Sequence, residues 1–118
     1  MEDFKLKKTD CTVASAILEH CDKPQKIFKN IFQSTKKMII LRTNLDNKKK
    51  IYILKKKNRK LNYRVFAFKD ILKIFRDNNF TPYILLDEAT NYSKNKKKIF
   101  KNEYRSMYVV LGLNNEIT

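Results

Sequence analysis

The chain has 118 residues, with 27 Lys and Arg against 12 Asp and Glu and a formal net charge of +15. A hydrophobic content of 42%, with eight Phe and six Tyr, excludes a wholly disordered tail, since such tails lack the apolar mass to fold. A single glycine (Gly112) and a single histidine (His20) exclude glycine-rich phosphate loops and multi-histidine metal sites.

In chain order, the first eight residues lack the apolar stretch of a secretory signal. Residues 9–21 read as a helix capped by Thr9 or Asp10, with Val13, Ala16, Ile17 and Cys21 at helical spacing. Cys11 and Cys21 on such a helix lie ~15 Å apart, so two reduced thiols and a cytoplasmic location are expected. Asp22 then caps a second helix with Pro24 in its first turn and an apolar stripe of Ile27, Phe28, Ile31 and Phe32.

Met38 to Thr43 reads as a strand, Asn44 to Asn47 as a turn, and Lys49 to Lys56 as a returning strand. A second turn at Lys57 to Arg59 leads to Leu61 to Phe68, which completes an expected three-strand antiparallel meander. Asp70 is expected to cap a third helix, with Ile71, Leu72, Ile74 and Phe75 inward and Asn78-Asn79 as its stop. Tyr83 to Leu86, opened by Pro82, reads as a buried strand. Residues 93–101 read as a lysine-rich loop or strand extension, and Tyr104 to Leu111 as the last strand.

These elements predict a single basic α+β domain over 1–118, with an N-terminal helical pair followed by an antiparallel sheet in the order α-α-β-β-β-α-β-β. A winged-helix-like variant makes the lysine-rich hairpin the wing. An OB-like barrel variant fits the strand order but has almost no glycine for its corners.

Charge is concentrated rather than spread. Residues 36–68 hold nine Lys and three Arg against Asp46 alone, a net +11. A/T-rich coding explains the choice of Lys over Arg but not the excess of one sign. A solvated hairpin guarded against edge pairing needs one or two lysines per strand. The excess predicts a polyanionic partner, DNA in preference to RNA, because no RNA-binding module signature occurs.

Lys48, Lys49, Lys50, Lys55, Lys56, Lys57, Arg59, Lys60 and Arg64 are the expected phosphate contacts, with Lys94, Lys96, Lys97 and Lys98 as a second tract. Arg42 and Arg64 suit bidentate contacts, and Tyr52 and Tyr63 suit base stacking. The resulting expectation is a non-catalytic accessory or regulatory DNA-binding protein, of a kind that suits a plasmid, phage or virus. It has no catalytic residue, cofactor, metal, membrane segment or small-molecule substrate. A homodimer is expected through the edge of the last strand at Tyr108 to Leu111.

Two alternatives stand beside it. One is an interaction protein or inhibitor that docks on an acidic protein surface. The other is a metal-dependent nuclease using Asp87 and Glu88 with Asp46 or Glu103. His20 reads as a surface or boundary residue, and its neighbour Cys21 diverges from it on a helix, so the two form no nucleophile pair.

Overall fold

The computed structural model describes residues 8–56, 59–91, 98–100, 103–104 and 106–116; for 54–56, 59–61, 98–100 and 103–104 it describes the backbone alone. The chain opens with strand β1 (Thr9–Ser15), a 3-10 turn (Leu18–His20), helix α1 (Pro24–Ser34) and strand β2 (Thr35–Asp46). Then come β3 (Lys50–Lys56), β4 (Arg59–Ala67), α2 (Phe68–Asp77), β5 (Phe80–Leu86) and a short α3 (Glu88–Asn91). A small pair, β6 (Lys98–Phe100) and β7 (Glu103–Tyr104), precedes β8 (Met107–Asn114).

Strands β1 and β2 are parallel, with Val13 beside Ile40 and Ala14 beside Leu41. Parallel neighbours need a crossover, which α1 provides. Pro24 starts α1 where its missing N–H costs nothing. The helix ends as the hydroxyls of Ser34 and Thr35 donate to the carbonyls of Asn30 and Ile31, both at 2.7 Å. The chain then runs straight into β2.

On its other side β2 pairs antiparallel with β8, and β8 with β5. β4 joins the far end of β2 in parallel through Leu45–Phe66 and Asp46–Ala67, and β3 hangs on β4 as a hairpin. The mixed sheet runs β3-β4-β2-β8-β5, with β1 flanking β2.

Helices α1 and α2 cover one face of this sheet. Ile27, Phe28, Ile31 and Phe32 of α1 and Ile71 and Phe75 of α2 bury against Ile39, Leu41, Leu45 and Val110. The Phe32 ring meets both Phe75 and Phe80. Helix α2 lies close on β8 because residue 112 is glycine: a Cβ there would stand 2.4 Å from Cε2 of Phe75. Asn79, at φ 64°, turns the chain out of α2, a conformation asparagine tolerates.

The structure corrects the expected α+β order. Residues 9–15 are a strand, not a helix. The helical spacing of Val13, Ala16, Ile17 and Cys21 straddles a break at Ala16, whose φ of 55° ends β1. Cys11 and Cys21 therefore share no helix, and neither forms a disulfide. Without a helix at 9–21 no helix-turn-helix forms, which removes the winged-helix variant. Nor do the three middle strands form a meander: β4, not β3, lies beside β2. That mixed, open order removes the OB-like barrel as well.

The final strand sits between β2 and β5, so its expected role as a free dimer edge is also corrected. Lys23, not Asp22, occupies the N-cap of α1, and Asp22 instead accepts from Nδ2 of Asn62. Asp70 lies in the first turn of α2 rather than at its cap. Among the described residues, no helix is long and apolar enough to cross a membrane.

Candidate functional site

In open α/β sheets, ligands collect at the carboxyl ends of the parallel strands. Here those ends are Ser15–Ala16 of β1 and Asn44–Asp46 of β2, and polar side chains converge on them. Ala16 closes β1 with its amide donating to the carbonyl of Arg42 at 2.9 Å. Its left-handed backbone aims the following turn back over β2. That turn buries Leu18 and Glu19, and Glu19 accepts from the Thr43 hydroxyl at 3.1 Å inside the protein.

His20, the next residue, is exposed. Its ring stands almost perpendicular to Tyr63, at 5.2 Å between centroids. Its Nδ1 lies 3.4 Å from the carbonyl oxygen of Asn62. A carbonyl only accepts, so Nδ1 is the donor in this contact. Tyr63 is fixed in turn: its hydroxyl accepts from Nδ2 of the fully buried Asn44 at 2.7 Å. The Oδ1 of Asn44 accepts from the Ser106 amide. The inserted hairpin β3–β4 thus supplies one wall of the site and the turn after β1 the other.

Beside them, Nε of Arg42 donates to Asp87 at 2.8 Å and its Nη2 to the Thr90 hydroxyl at 2.8 Å. Burial pushes the Asp87 carboxyl up, but hydrogen bonds from Arg42 and Thr90 and the Arg42 charge outweigh it and hold its pKa below the ordinary value. Asn91 clamps both the amide and the carbonyl of Met107, each at 2.8 Å, which fixes α3 to β8.

The residues expected to meet nucleic acid fall into three groups. Arg42, Tyr63 and Arg64 are engaged internally; Arg64 donates to the carbonyls of Cys21 and Asp22, both at 3.0 Å. Tyr63 is buried and offers no stacking face. Lys48, Lys49 and Lys50 are exposed, with Lys50 paired to Asp46 at 3.4 Å. Tyr52 is half-buried opposite Tyr63. Only the backbone of Lys55, Lys56, Arg59, Lys60 and Lys98 is described, and Lys57, Lys94, Lys96 and Lys97 lie outside the described residues.

A groove of about 340 Å³ between α1, α2 and the β3–β4 hairpin includes Lys49 and Arg64 among its lining, with Phe28, Ile51 and Ile74. By sequence His20 is a surface or boundary residue, and it is exposed here. The signal that finds it is its place one turn beyond the end of a parallel strand, which requires knowing that 9–15 is a strand.

No protein-family model and no curated protein matches the sequence. Solved structures match the fold. A magnesium protoporphyrin IX methyltransferase from Synechocystis with bound SAH superposes at a TM-score of 0.61 and 11% identity, over 96% of this chain and 48% of that one. A SAM-dependent methyltransferase from Methanosarcina mazei gives 0.64 and 11%, over 96% of this chain and 63% of that one. The 1,6-didemethyltoxoflavin-N1-methyltransferase of Burkholderia thailandensis, with bound 1,6-didemethyltoxoflavin and S-adenosylhomocysteine, gives 0.60 and 14%, over 98% and 48%. The chain spans between about half and under two thirds of the length of these proteins.

The fold is thus a Rossmann-like α/β fold with a mixed sheet, shared with SAM-dependent methyltransferases. That finding overturns the reading as a non-catalytic DNA-binding regulator, which was drawn from the lysine excess of residues 36–68. It likewise corrects the expectations of a non-enzyme, of an inhibitor docking on an acidic surface, and of a protein without a small-molecule ligand, because the neighbours are methyltransferases and two hold small molecules. The nuclease alternative loses its acid: Asp87 is bound to Arg42, and among the described residues no three His, Cys, Asp or Glu side chains converge.

A Rossmann-type fold brings backbone against a nucleotide-type cofactor through a glycine-rich strand-to-helix turn. The sole glycine here is filled over by Phe75 within β8. The turn after β1 is Ala16-Ile17, without glycine. The residues of this chain therefore do not fit an S-adenosyl cofactor cradle.

Proposed function

We propose that this chain is the acceptor-facing half of a methyltransferase-type α/β unit. In this reading it binds a small molecule at the carboxyl ends of β1 and β2 and removes a proton from it. The observation that supports this is the sheet itself, in which a parallel β1–α1–β2 unit is followed by β8 inserted antiparallel between β2 and β5. An O–H or N–H group on the bound molecule presents such a proton. His20 supplies a base for that proton at Nε2, its orientation set by the Asn62 carbonyl and the Tyr63 ring. Glu19, spent on Thr43, takes no part. Two cysteines outside any disulfide, Cys11 and Cys21, suit a reducing cytoplasm.

The test is amide shift mapping with a fragment library of O–H and N–H heteroaromatics. Hits are expected to perturb Ser15 to His20 and Asn62 to Arg64, and His20→Ala is expected to weaken them. Hits gathered instead in the groove of Phe28, Ile51 and Ile74, or none at all, would overturn the reading.

A further inference from the structure

The groove between α1, α2 and the β3–β4 hairpin joins apolar walls to an arginine whose charge no carboxylate meets. Phe28 of α1, Ile74 of α2, and Ile51 and Val65 of the hairpin supply the walls. Ile51 is 55% exposed there, although it is a large apolar side chain. Arg64 stands directly across the hairpin from it, and such pairs point to the same side of the sheet. The half-buried guanidinium is fixed in place, Nε donating to the carbonyl of Cys21 and Nη2 to that of Asp22. Peptide carbonyls carry no net charge, and arginine does not deprotonate, so its positive charge stays unneutralised. Among the described residues no carboxylate pairs with Arg64, not even Asp70, which lines the same groove. Among them, too, Nη1 has no acceptor.

We infer that this groove binds a small amphipathic monocarboxylate, its aryl or acyl body against Phe28, Ile51, Val65 and Ile74 and its carboxylate on Arg64 and Lys49. A planar guanidinium held by two of its donors presents the rest in the geometry that a carboxylate matches. Lys49 adds a second cation at the exposed rim. Lys73, the remaining cation of the lining, is already held by Asp77 at 2.5 Å. The carboxylate of Asp70 repels a second negative charge in the same space, which favours a monoanion over a phosphate ester or a dicarboxylate. A volume of about 340 Å³ lies at the lower end of the ~300–1,000 Å³ range of ligand pockets, and so suits a single aryl group or a medium acyl chain. The groove includes none of Ser15 to His20 among its lining, so its ligand is distinct from the molecule placed beside His20.

The test titrates the full chain with cinnamate and with its uncharged methyl ester, and follows the backbone amide resonances. Cinnamate at neutral pH carries no O–H or N–H, which separates it from the heteroaromatic fragments used for the His20 site. It is expected to shift Phe28, Ile51, Val65 and Ile74, and to bind about tenfold or more tighter than the ester. Arg64→Gln is expected to remove that advantage. Because Arg64 also ties down the turn at Cys21 and Asp22, a variant at the exposed Lys49 carries the test if Arg64→Gln does not fold. Lys49→Glu is expected to weaken cinnamate about threefold or more and to leave the ester unchanged. Equal affinity for acid and ester, a cinnamate affinity that Lys49→Glu does not move, shifts gathered at other residues, or no binding would overturn the inference. Fragment binding near His20 is read at Ser15 to His20, so either result stands if the other fails.

Discussion

The rings of His20 and Tyr63 meet almost at right angles, 5.2 Å apart, although 43 positions separate them in the chain. The contact ties the turn after β1 to the hairpin inserted between β2 and α2. It depends on Asn44, whose side chain bridges the Tyr63 hydroxyl and the Ser106 amide from a fully buried position. One asparagine thereby sets the wall against which the histidine rests.

Replacing Tyr63 with Phe keeps the ring against His20 but removes the acceptor for the Asn44 amide. A buried donor left without a partner costs about 1–3 kcal/mol. Urea unfolding of Tyr63→Phe is expected to show a lower midpoint with an unchanged slope. An unchanged midpoint would mean that Asn44 does not donate to Tyr63 in solution.

The Arg42–Asp87 pair gives stability a defined pH dependence. Because the Asp87 pKa is depressed in the folded protein, its contribution is fully present above the unfolded carboxylate value, ~3.9, and is lost as pH falls through the folded pKa. Asp87→Asn is expected to flatten the stability profile below about pH 4 while lowering stability at neutral pH. Thermal melts across that range in both proteins check it. Parallel profiles would remove Asp87 as the source.

Local signals in the sequence located α1, α2 and the strands at 38–43 and 83–86, and β3 to within one residue, although 83–86, expected to be buried, leaves Tyr83 and Leu85 exposed. What they could not supply was pairing. The partner of β1 is β2, more than twenty residues on, and a seven-residue segment of mixed Thr, Val and Ala carries little periodicity of its own. A helix at 9–15 has no parallel partner in β2, and without that pair there is no strand end to make His20 conspicuous. Lysine density misled for a different reason. It marks exposed surface at Lys48, Lys49 and Lys50, whereas Arg42, Tyr63 and Arg64, assigned the same role, are drawn inward by Asp87, Asn44 and two carbonyls, partners that no linear pattern displays.

Gly112 and Phe75 are a matched pair, because the ring occupies the space of a side chain on β8. Gly112→Ala overpacks this contact and is expected to cost about 1–3 kcal/mol. Phe75→Leu alone leaves a cavity and is also destabilising. The double variant is expected to be less destabilised than the two losses added together, since each change relieves the other. Denaturation of all four proteins measures the coupling, and strict additivity would show that helix and strand do not press together here.

Ala16 holds φ at 55°, where an L-residue costs roughly 1–2 kcal/mol and glycine very little. Ala16→Gly removes that strain but makes the unfolded chain more flexible, at a cost of roughly 0.5–1 kcal/mol. The balance predicts a gain of up to about 1 kcal/mol. Ala16→Val goes the other way, because a β-branched side chain is a severe misfit in the left-handed region. Since the turn at Ala16 aims Leu18, Glu19 and His20, the valine variant is also expected to disturb the His20 ring resonances, which the glycine variant leaves in place. If both substitutions shift stability equally, the backbone at Ala16 is not left-handed in solution, and the placement of His20 at the strand end loses its cause.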